Sequence, residues 1–540
     1  MSGPAPFVPG QALRAADQGA PGGSRHGRIT TGDELLEKDT SLSCDVCIIG
    51  SGSGGAWLAH ELCAKGLDVV MLEEGGYHTR REFDLTEANM YPKLYQELGN
   101  RTTDDLSITM LQGRSVGGST TVNWCSSFRT PDRILEVWRE RHGLEELTPE
   151  ALTPHWEAAE KRLHIAEWPE GLINRNNRIL WDGLGKLGYE RGLIRRNVNG
   201  CANLGYCGLG CPIDAKQSML VTVLPDAVEK GLRLFANVSV RRLESSGRKV
   251  TRVVADVLDP KTDRRSGRTF TVQAKATAVC GGAVNSPALL LRSGLDAAGR
   301  VGQRTWLHPV VVMLSMFEEP VNAFSGAPQS VYSHHFIERG EGKMGFFLEV
   351  PPVHPMLGAV VATGVGGQFQ QFMAKLPHIN AMIAINVDGL LPNEKGGTVR
   401  LRDSGYGRHS FNYELPPEFW EAARTACREM ARLQFAAGAK MVHSLHLDPV
   451  VMQSEKDLAL LDAAPFEKLK MRVVSAHLMG GCAAGKDPSR SVVDPHFRFH
   501  GLDNLFVVDG SVFPTSLGVN PQLTIFGLAR WASQHVAAAV

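Results

Sequence analysis

The chain carries no excess charge of either sign: 57 Lys and Arg stand against 57 Asp and Glu. That balance lacks the footprint of a nucleic-acid partner and gives no long-range steering of charged substrates. Cysteine is sparse, ten in 540 residues, and Cys44, Cys47 and Cys280 sit in apolar, strand-like runs. Disulfide frameworks belong mainly to short secreted domains, so these read as reduced, buried thiols. Cys201, Cys207 and Cys211 are spaced C-x5-C-x3-C with no nearby His. Structural zinc and cubane clusters want four ligands, commonly at C-x2-C steps. No metal is expected there, and the segment reads as a reduced, glycine-rich loop.

Uninterrupted apolar runs of membrane-spanning length are also missing. Residues 350–374 contain no Asp, Glu, Lys or Arg. Length alone would suggest a span, but Pro351, Pro352, Pro355, Gly358, Gly364, Gly366 and Gly367 break it. The stretch is expected to wall a pocket or form a lid, with ordinary core as the alternative. The first 40 residues are rich in Gly, Pro and Ala, lack an apolar core and do not read as a secretory signal. They are expected to form a flexible arm. No internal repeat is present. These absences point to a cytoplasmic protein without a transmembrane span, peripheral membrane attachment being left open. At 540 residues the chain has room for two to four domains.

What is present begins at residues 44–49, CDVCII, a short apolar strand. It runs into Gly50-Ser51-Gly52-Ser53-Gly54-Gly55 and a helical pattern to about Lys65; Gly66 ends the helix. Residues 67–72, LDVVML, give the next strand, which closes on Glu73. Gly50, Gly52 and Gly55 fit G-x-G-x-x-G: a tight turn, close approach of a pyrophosphate, and close helix–strand packing. Glu73 lies eighteen residues past Gly55, near the spacing at which a carboxylate meets ribose hydroxyls. Strand, glycines, helix, strand and acid in register predict a dinucleotide site. The motif alone does not separate FAD from NAD.

Farther on, 113–123 reads GRSVGGSTTVN, where Gly117 and Gly118 let backbone approach a ligand and Asn123 offers a polar contact. Residues 282–295 read GAVNSPALLLRSGL. Near the C-terminus two polar side chains stand in apolar or glycine-rich settings: His477 in SAHLMGG and Asn520 in GVNPQLTI. Asn favours the N-cap and Pro the first helical position, so Asn520-Pro521 predicts a helix start with its side-chain oxygen serving Leu523 N–H. Such a terminus suits an anion. A His suits proton transfer near neutral pH. His308, in WLHP, reads as structural or pocket-lining, and is the next base candidate after His477.

At these motifs the chain resembles the glucose–methanol–choline (GMC) oxidoreductases, a family of FAD enzymes. GRSVGGSTTVN resembles the family's first signature. GAVNSPALLLRSGL resembles its second, departing at Asp296. HLMGGC, VVDGSVFP and VNPQLTI resemble its C-terminal block. Within the family, VNWCSSFRTP and GYCGLGCPIDAKQS look most like long-chain alcohol oxidases. HLMGGC and VNPQLTI also look like cholesterol-oxidase-type members. Ser127 stands where an aromatic or Ala is usual, which argues against sugar- or choline-type substrates.

The resemblance implies an α/β fold, α+β overall. A Rossmann-type FAD-binding domain comes from discontinuous segments, beside a substrate-binding domain with a mixed or antiparallel sheet and helices. The expected boundaries are an arm at 1–40, FAD-binding parts at 41–130, 196–309 and 466–540, a helical cap at 131–195 and a substrate domain at 310–465. Strands are expected over 232–243, 272–280 and 343–350, a helix over 417–437 and a hairpin over 396–405.

The implied cofactor contacts are Gly50, Gly52, Gly55, Glu73, Gly117, Gly118, Asn123, Val240 and Asp509. Val240 would meet the adenine through its backbone, with Val238 as the alternative register. The implied catalytic pair is His477, accepting a hydroxyl proton, and Asn520, donating to the substrate oxygen. No His or Cys lies between 106 and 118, so the FAD is expected to be non-covalent. The expected reaction converts an alcohol, apolar and of long-chain type, to an aldehyde or ketone. Oxygen, a quinone or another acceptor would take the electrons. A sterol or alicyclic alcohol, a hydroxynitrile-lyase-like reaction and a non-enzymatic flavin or lipid carrier are the rival expectations.

Overall fold

The computed structural model describes residues 27–362, 365–402 and 409–540. In chain order the first elements are β1 (Arg28–Thr30), β2 (Thr40–Ile49), α1 (Ser53–Ala64), β3 (Val69–Leu72) and β4 (Ile108–Met110). Three helices follow: α2 (Asp132–His142), α3 (Pro149–Arg162) and α4 (Arg175–Leu187). Then come β5 (Arg233–Phe235), β6 (Val238–Ser246), β7 (Lys249–Asp259), β8 (Arg264–Val279) and α5 (Gly282–Arg292). The next stretch holds β9 (Val310–Met316), β10 (Phe346–Glu349), α6 (Pro355–Val361), α7 (Gly367–Ala374) and β11 (Ile379–Asn386). The last elements are β12 (Gly397–Leu401), β13 (His409–Tyr413), α8 (Pro417–Ala436), β14 (Val473–Ser475), β15 (Leu505–Val507) and α9 (Gln522–Ala537).

Two eight-stranded sheets organise the molecule. The first runs β1-β5-β3-β2-β8-β7-β6, with β15 beside the end of β8. Its strands from β1 to β8 and β15 are parallel, while β8, β7 and β6 form an antiparallel meander. The parallel part is covered on both faces, so its strands read as continuous apolar runs such as VVML in β3. Segments from 28 to 507 meet in this one sheet, which fits the expected assembly from discontinuous pieces. Residues 131–195 divide between the two halves: α3 packs on α9, and α4 packs on α8.

Three expectations shift. Residues 1–26 lie outside the described residues, but the arm expected to run to 40 gives way at Arg28, because β1 pairs in parallel with β5. The single strand expected over 232–243 is two, β5 and β6, broken at Asn237, whose φ of 58° turns the chain while its N–H donates to Gly75 O. The hairpin expected over 396–405 runs farther, pairing β12 with β13 at 409–413; residues 403–408 lie outside the described residues.

The second sheet is mostly antiparallel and contains β10-β11-β9-β14-β4. Strand period two splits its faces. Val310, Val312 and Leu314 of β9 and Ala381, Ile383 and Ile385 of β11 line a cavity. Val311, Met313, Met382 and Ala384 join the core that includes Phe419 and Met430 of α8. Glu349 stands opposite Ile383 in the β10–β11 register. Directly opposed residues share a face, so a carboxylate projects toward the cavity side from an otherwise apolar strand.

Candidate active site

One cavity of about 720 Å³ runs between the sheets, from the glycine turn after β2 to His477 and Asn520. Its cofactor end is shaped by backbone. Gly50 has φ +102°, and a Cβ on Gly55 would lie 2.0 Å from Gly50 O. A Cβ on Gly118 would meet Gly52 Cα at 2.7 Å. Gly50, Gly52 and Gly118 line the cavity, whereas Gly55 and Gly117 stand behind its wall and let the backbone close up. Gly117 N–H donates to Ser51 Oγ at 3.0 Å.

Glu73 is buried and fixed at the same end. Its Oε2 accepts from Ser51 N–H and Ser51 O–H, and its Oε1 from Gly75 N–H. Val238 and Val240 both line the cavity, but Val238 N–H is already donated to Glu73 O. Asp509 caps the turn at 510–512 through Ser511 N–H and accepts from Gly282 N–H and Ser286 O–H. It thereby ties the start of α5 to the cavity floor. Asn123 donates to Gln522 Oε1 at 2.7 Å, and its carbonyl accepts from Lys216 Nζ at 2.6 Å.

The other end brings together four side chains from distant segments. His477 follows β14 by two residues, and its Nε2 lies 3.3 Å from Asn520 Nδ2. That same amide nitrogen is 3.3 Å from Glu349 Oε2. His477 Nδ1 is 3.1 Å from His308 Nδ1, and His308 Nε2 accepts from Gly518 N–H at 3.1 Å. His308 has φ 47°, a conformation disfavoured for a side chain of this size. Asp388 holds it there by accepting from Leu307 N–H and His308 N–H, with Tyr413 O–H as a further donor.

This chain of contacts assigns the imidazole hydrogens. A backbone N–H can only donate, so His308 Nε2 is bare and the ring hydrogen sits on Nδ1. His308 Nδ1–H then donates to His477 Nδ1, which leaves the hydrogen of neutral His477 on Nε2. Burial lowers His477 to a pKa of about 4 and drives His308 well below the usual imidazole value, so both rings are neutral at pH 7. Burial acts oppositely on Glu349 and pushes its carboxyl up to about 8. Asn520 Oδ1 has no partner as oriented. Turning the amide by half a rotation lets Oδ1 accept from His477 Nε2–H and from the protonated Glu349.

One local expectation fails. Asn520 does not cap α9: Pro521 holds the N-cap position, with no side-chain capping bond. Asn520 is turned toward Glu349 and His477 instead, where a buried amide finds polar neighbours. Glu349 and Gln522 were missed as site residues from sequence, whereas His308, read there as structural or pocket-lining, stands against His477. Glu349 had a signal, a lone charge within the apolar run GFFLEVPPV.

Residues 91–310 match the GMC oxidoreductase N-terminal family model, and 392–529 match the C-terminal one. The chain belongs to the GMC oxidoreductase family. This GMC oxidoreductase is 32% identical over 504 residues to an uncharacterised GMC-type oxidoreductase of Mycobacterium tuberculosis, covering 92% of this chain and 76% of the relative. It is 28% identical over 536 residues to a long-chain-alcohol oxidase of Arabidopsis thaliana, covering 94% and 70%. In fold it is similar to pyridoxine 4-oxidase of Mesorbium loti, with TM-score 0.67 and 20% identity over 91% of this chain and 99% of that one.

FAD is the cofactor of this flavoprotein oxidoreductase. The glycine cradle, which any Cβ at Gly55 or Gly118 would disrupt, fits close backbone approach by a dinucleotide. Among the described residues no helix is long and apolar enough to cross a membrane.

Proposed function

We propose that this enzyme oxidises the CH–OH group of an apolar alcohol to an aldehyde or ketone. The carrying observation is that His477 and Asn520 meet at one end of a cavity whose far end is the glycine cradle, with the buried Glu349 hydrogen-bonded to Asn520 behind them. FAD, when bound, supplies a two-electron acceptor for hydride from the carbinol carbon. In this reading Gly50, Gly52, Gly118, Asn123 and Val240 hold it directly, Glu73 meets the ribose, and Asp509 keeps the α5 turn in place.

The donor chain supports a different division of labour from the one expected of His477. With its hydrogen on Nε2, His477 redirects that donor from Asn520 Oδ1 to the alcohol oxygen when substrate enters, and Asn520 orients the ring and the alcohol. Charge that builds on that oxygen as the proton leaves is stabilised by these fixed donors. The hydroxyl proton passes to Glu349, directly or through one water. Burial and hydrogen bonding through His308, Gly518 and Asp388 keep the His477 ring from turning.

An apolar substrate is supported by the wall. Beyond β9 and β11 the lining continues through Val353, Met356, Leu357 and Val361 of the 350–374 stretch expected to form a wall or lid. At the mouth, Leu106, Val360, Leu447 and Leu469 line the cavity and are 57–70% exposed. Arg472, beside them, is spent on the Val360 carbonyl. The similarity to long-chain-alcohol oxidases agrees with this reading. An anaerobic panel of alcohols, scored by bleaching of the flavin band and followed by admission of air, tests substrate class and oxygen use together. Bleaching by long alkanols is the expected result. Bleaching by sugars only, or cyanohydrin cleavage without bleaching, would overturn the proposal.

A further inference from the structure

Behind the cavity wall lie two buried cations with no carboxylate to balance them. Arg196 and Lys216 are at most 3% exposed. Arg196 Nη1 donates to the carbonyls of Pro328 and Gln329, and Lys216 Nζ to those of Asn123 and Cys207. Among the described residues neither makes an ion pair with Asp or Glu; Arg196 lies over the Trp168 ring at 5.4 Å, and Glu349 feels Arg196 only at longer range. A buried charge that is hydrogen-bonded but unpaired is costly, so an anion is called for.

The one acidic group in contact is a thiol. Arg196 Nη2 lies 3.8 Å from Cys207 Sγ, and the Cys125 and Cys207 thiols hydrogen-bond to each other. Cys125 itself lines the cavity. Hydrogen bonding from Cys125 and the charges of Arg196 and Lys216 bring Cys207 down to about 6, while Cys125 is driven well up. A low thiolate beside a protonated thiol matches the pattern of attacking and resolving cysteines. No three of the sulfurs of Cys125, Cys201, Cys207 and Cys211 come within 4.8 Å of one another.

We propose that Cys207 and Cys125 form a redox-active dithiol at the cavity wall, with Cys207 a thiolate balancing Arg196 and Lys216, which hydrogen peroxide closes to a disulfide. The Cys207 thiolate attacks one peroxide oxygen, the O–O bond breaks, and hydroxide leaves to take a proton from solvent. Cys125 then loses its S–H proton and attacks the sulfenic sulfur. The S–S bond forms and the sulfenic oxygen departs as water. Two thiols supply two electrons to one peroxide, and two waters result. Closure removes the negative charge from beside Lys216, whose ammonium holds the Asn123 carbonyl at the cofactor end.

The test uses the purified holoenzyme titrated with hydrogen peroxide, digested without reduction and read by mass spectrometry. The expected product joins peptide 115–129, which holds Cys125, to peptide 197–216 through Cys207, about 2 Da lighter than the separate thiols and released by dithiothreitol. Cys125→Ser should stop the reaction at a sulfenic acid on Cys207 that dimedone traps. Oxidation of Cys201 or Cys211 ahead of Cys207 would overturn the proposal. So would iron or zinc bound stoichiometrically to the untreated protein, since the sulfurs would then be ligands.

Discussion

The two ends of the cavity are built in opposite ways. At the cofactor end the chain doubles back within residues 50–75, and the working groups are backbone atoms exposed by glycine plus one carboxylate. At the His477 end four side chains arrive from residues 308, 349, 477 and 520, and each is positioned by contacts the local sequence does not contain. A locally encoded site tolerates no side chain at its glycines. A site assembled across the chain depends on proton positions passed from residue to residue.

Breaking the first end should have the largest effect. Gly55→Val would drive a side chain into Gly50 O, so the protein should purify without flavin and without activity. Absorbance in the flavin band per mole of protein is the check. In the parent, denaturation should release yellow cofactor, as non-covalent FAD requires.

Breaking the second end should leave the flavin in place. Glu349→Gln keeps the shape but cannot take a proton, and kcat should fall by roughly 10²–10⁴-fold with FAD retained. His477→Ala removes one fixed donor and should cost roughly 10²–10³-fold. Loss of flavin in either variant would show that the two ends are not separable. The smallest effect concerns the wall: each added methylene should gain about 0.8 kcal/mol, roughly fourfold in kcat/KM, over short alkanols. A flat series would leave the aliphatic lining as mere core.

The same contrast explains what could be read in the sequence. The strand, glycines and acid from 44 to 73 announce themselves because strand, turn, helix and carboxylate are neighbours in the chain. His477 and Asn520 were marked by motif resemblance, and the structure brings them 3.3 Å apart. The proton direction at His477 was not, because it is set by Gly518 N–H acting through His308. The capping role expected of Asn520 followed local preference and lost to a tertiary contact, since Glu349 comes from a strand 171 residues away. Asn237 broke an apparently continuous strand for the same kind of reason, its backbone being committed to Gly75.

The central claim is that Glu349, not His477, takes the hydroxyl proton. The rate of anaerobic flavin reduction by a saturating long-chain alcohol, followed from pH 5 to pH 10, tests it most directly. Glu349 has its pKa raised to about 8 by burial, so it is protonated and unable to accept below that pH. The rate should rise as pH climbs through about 8, and the rise should vanish in Glu349→Gln. His477, lowered to about 4, is already neutral throughout this range. A parent rate that is flat from pH 5 upward would contradict the account and return the base to His477.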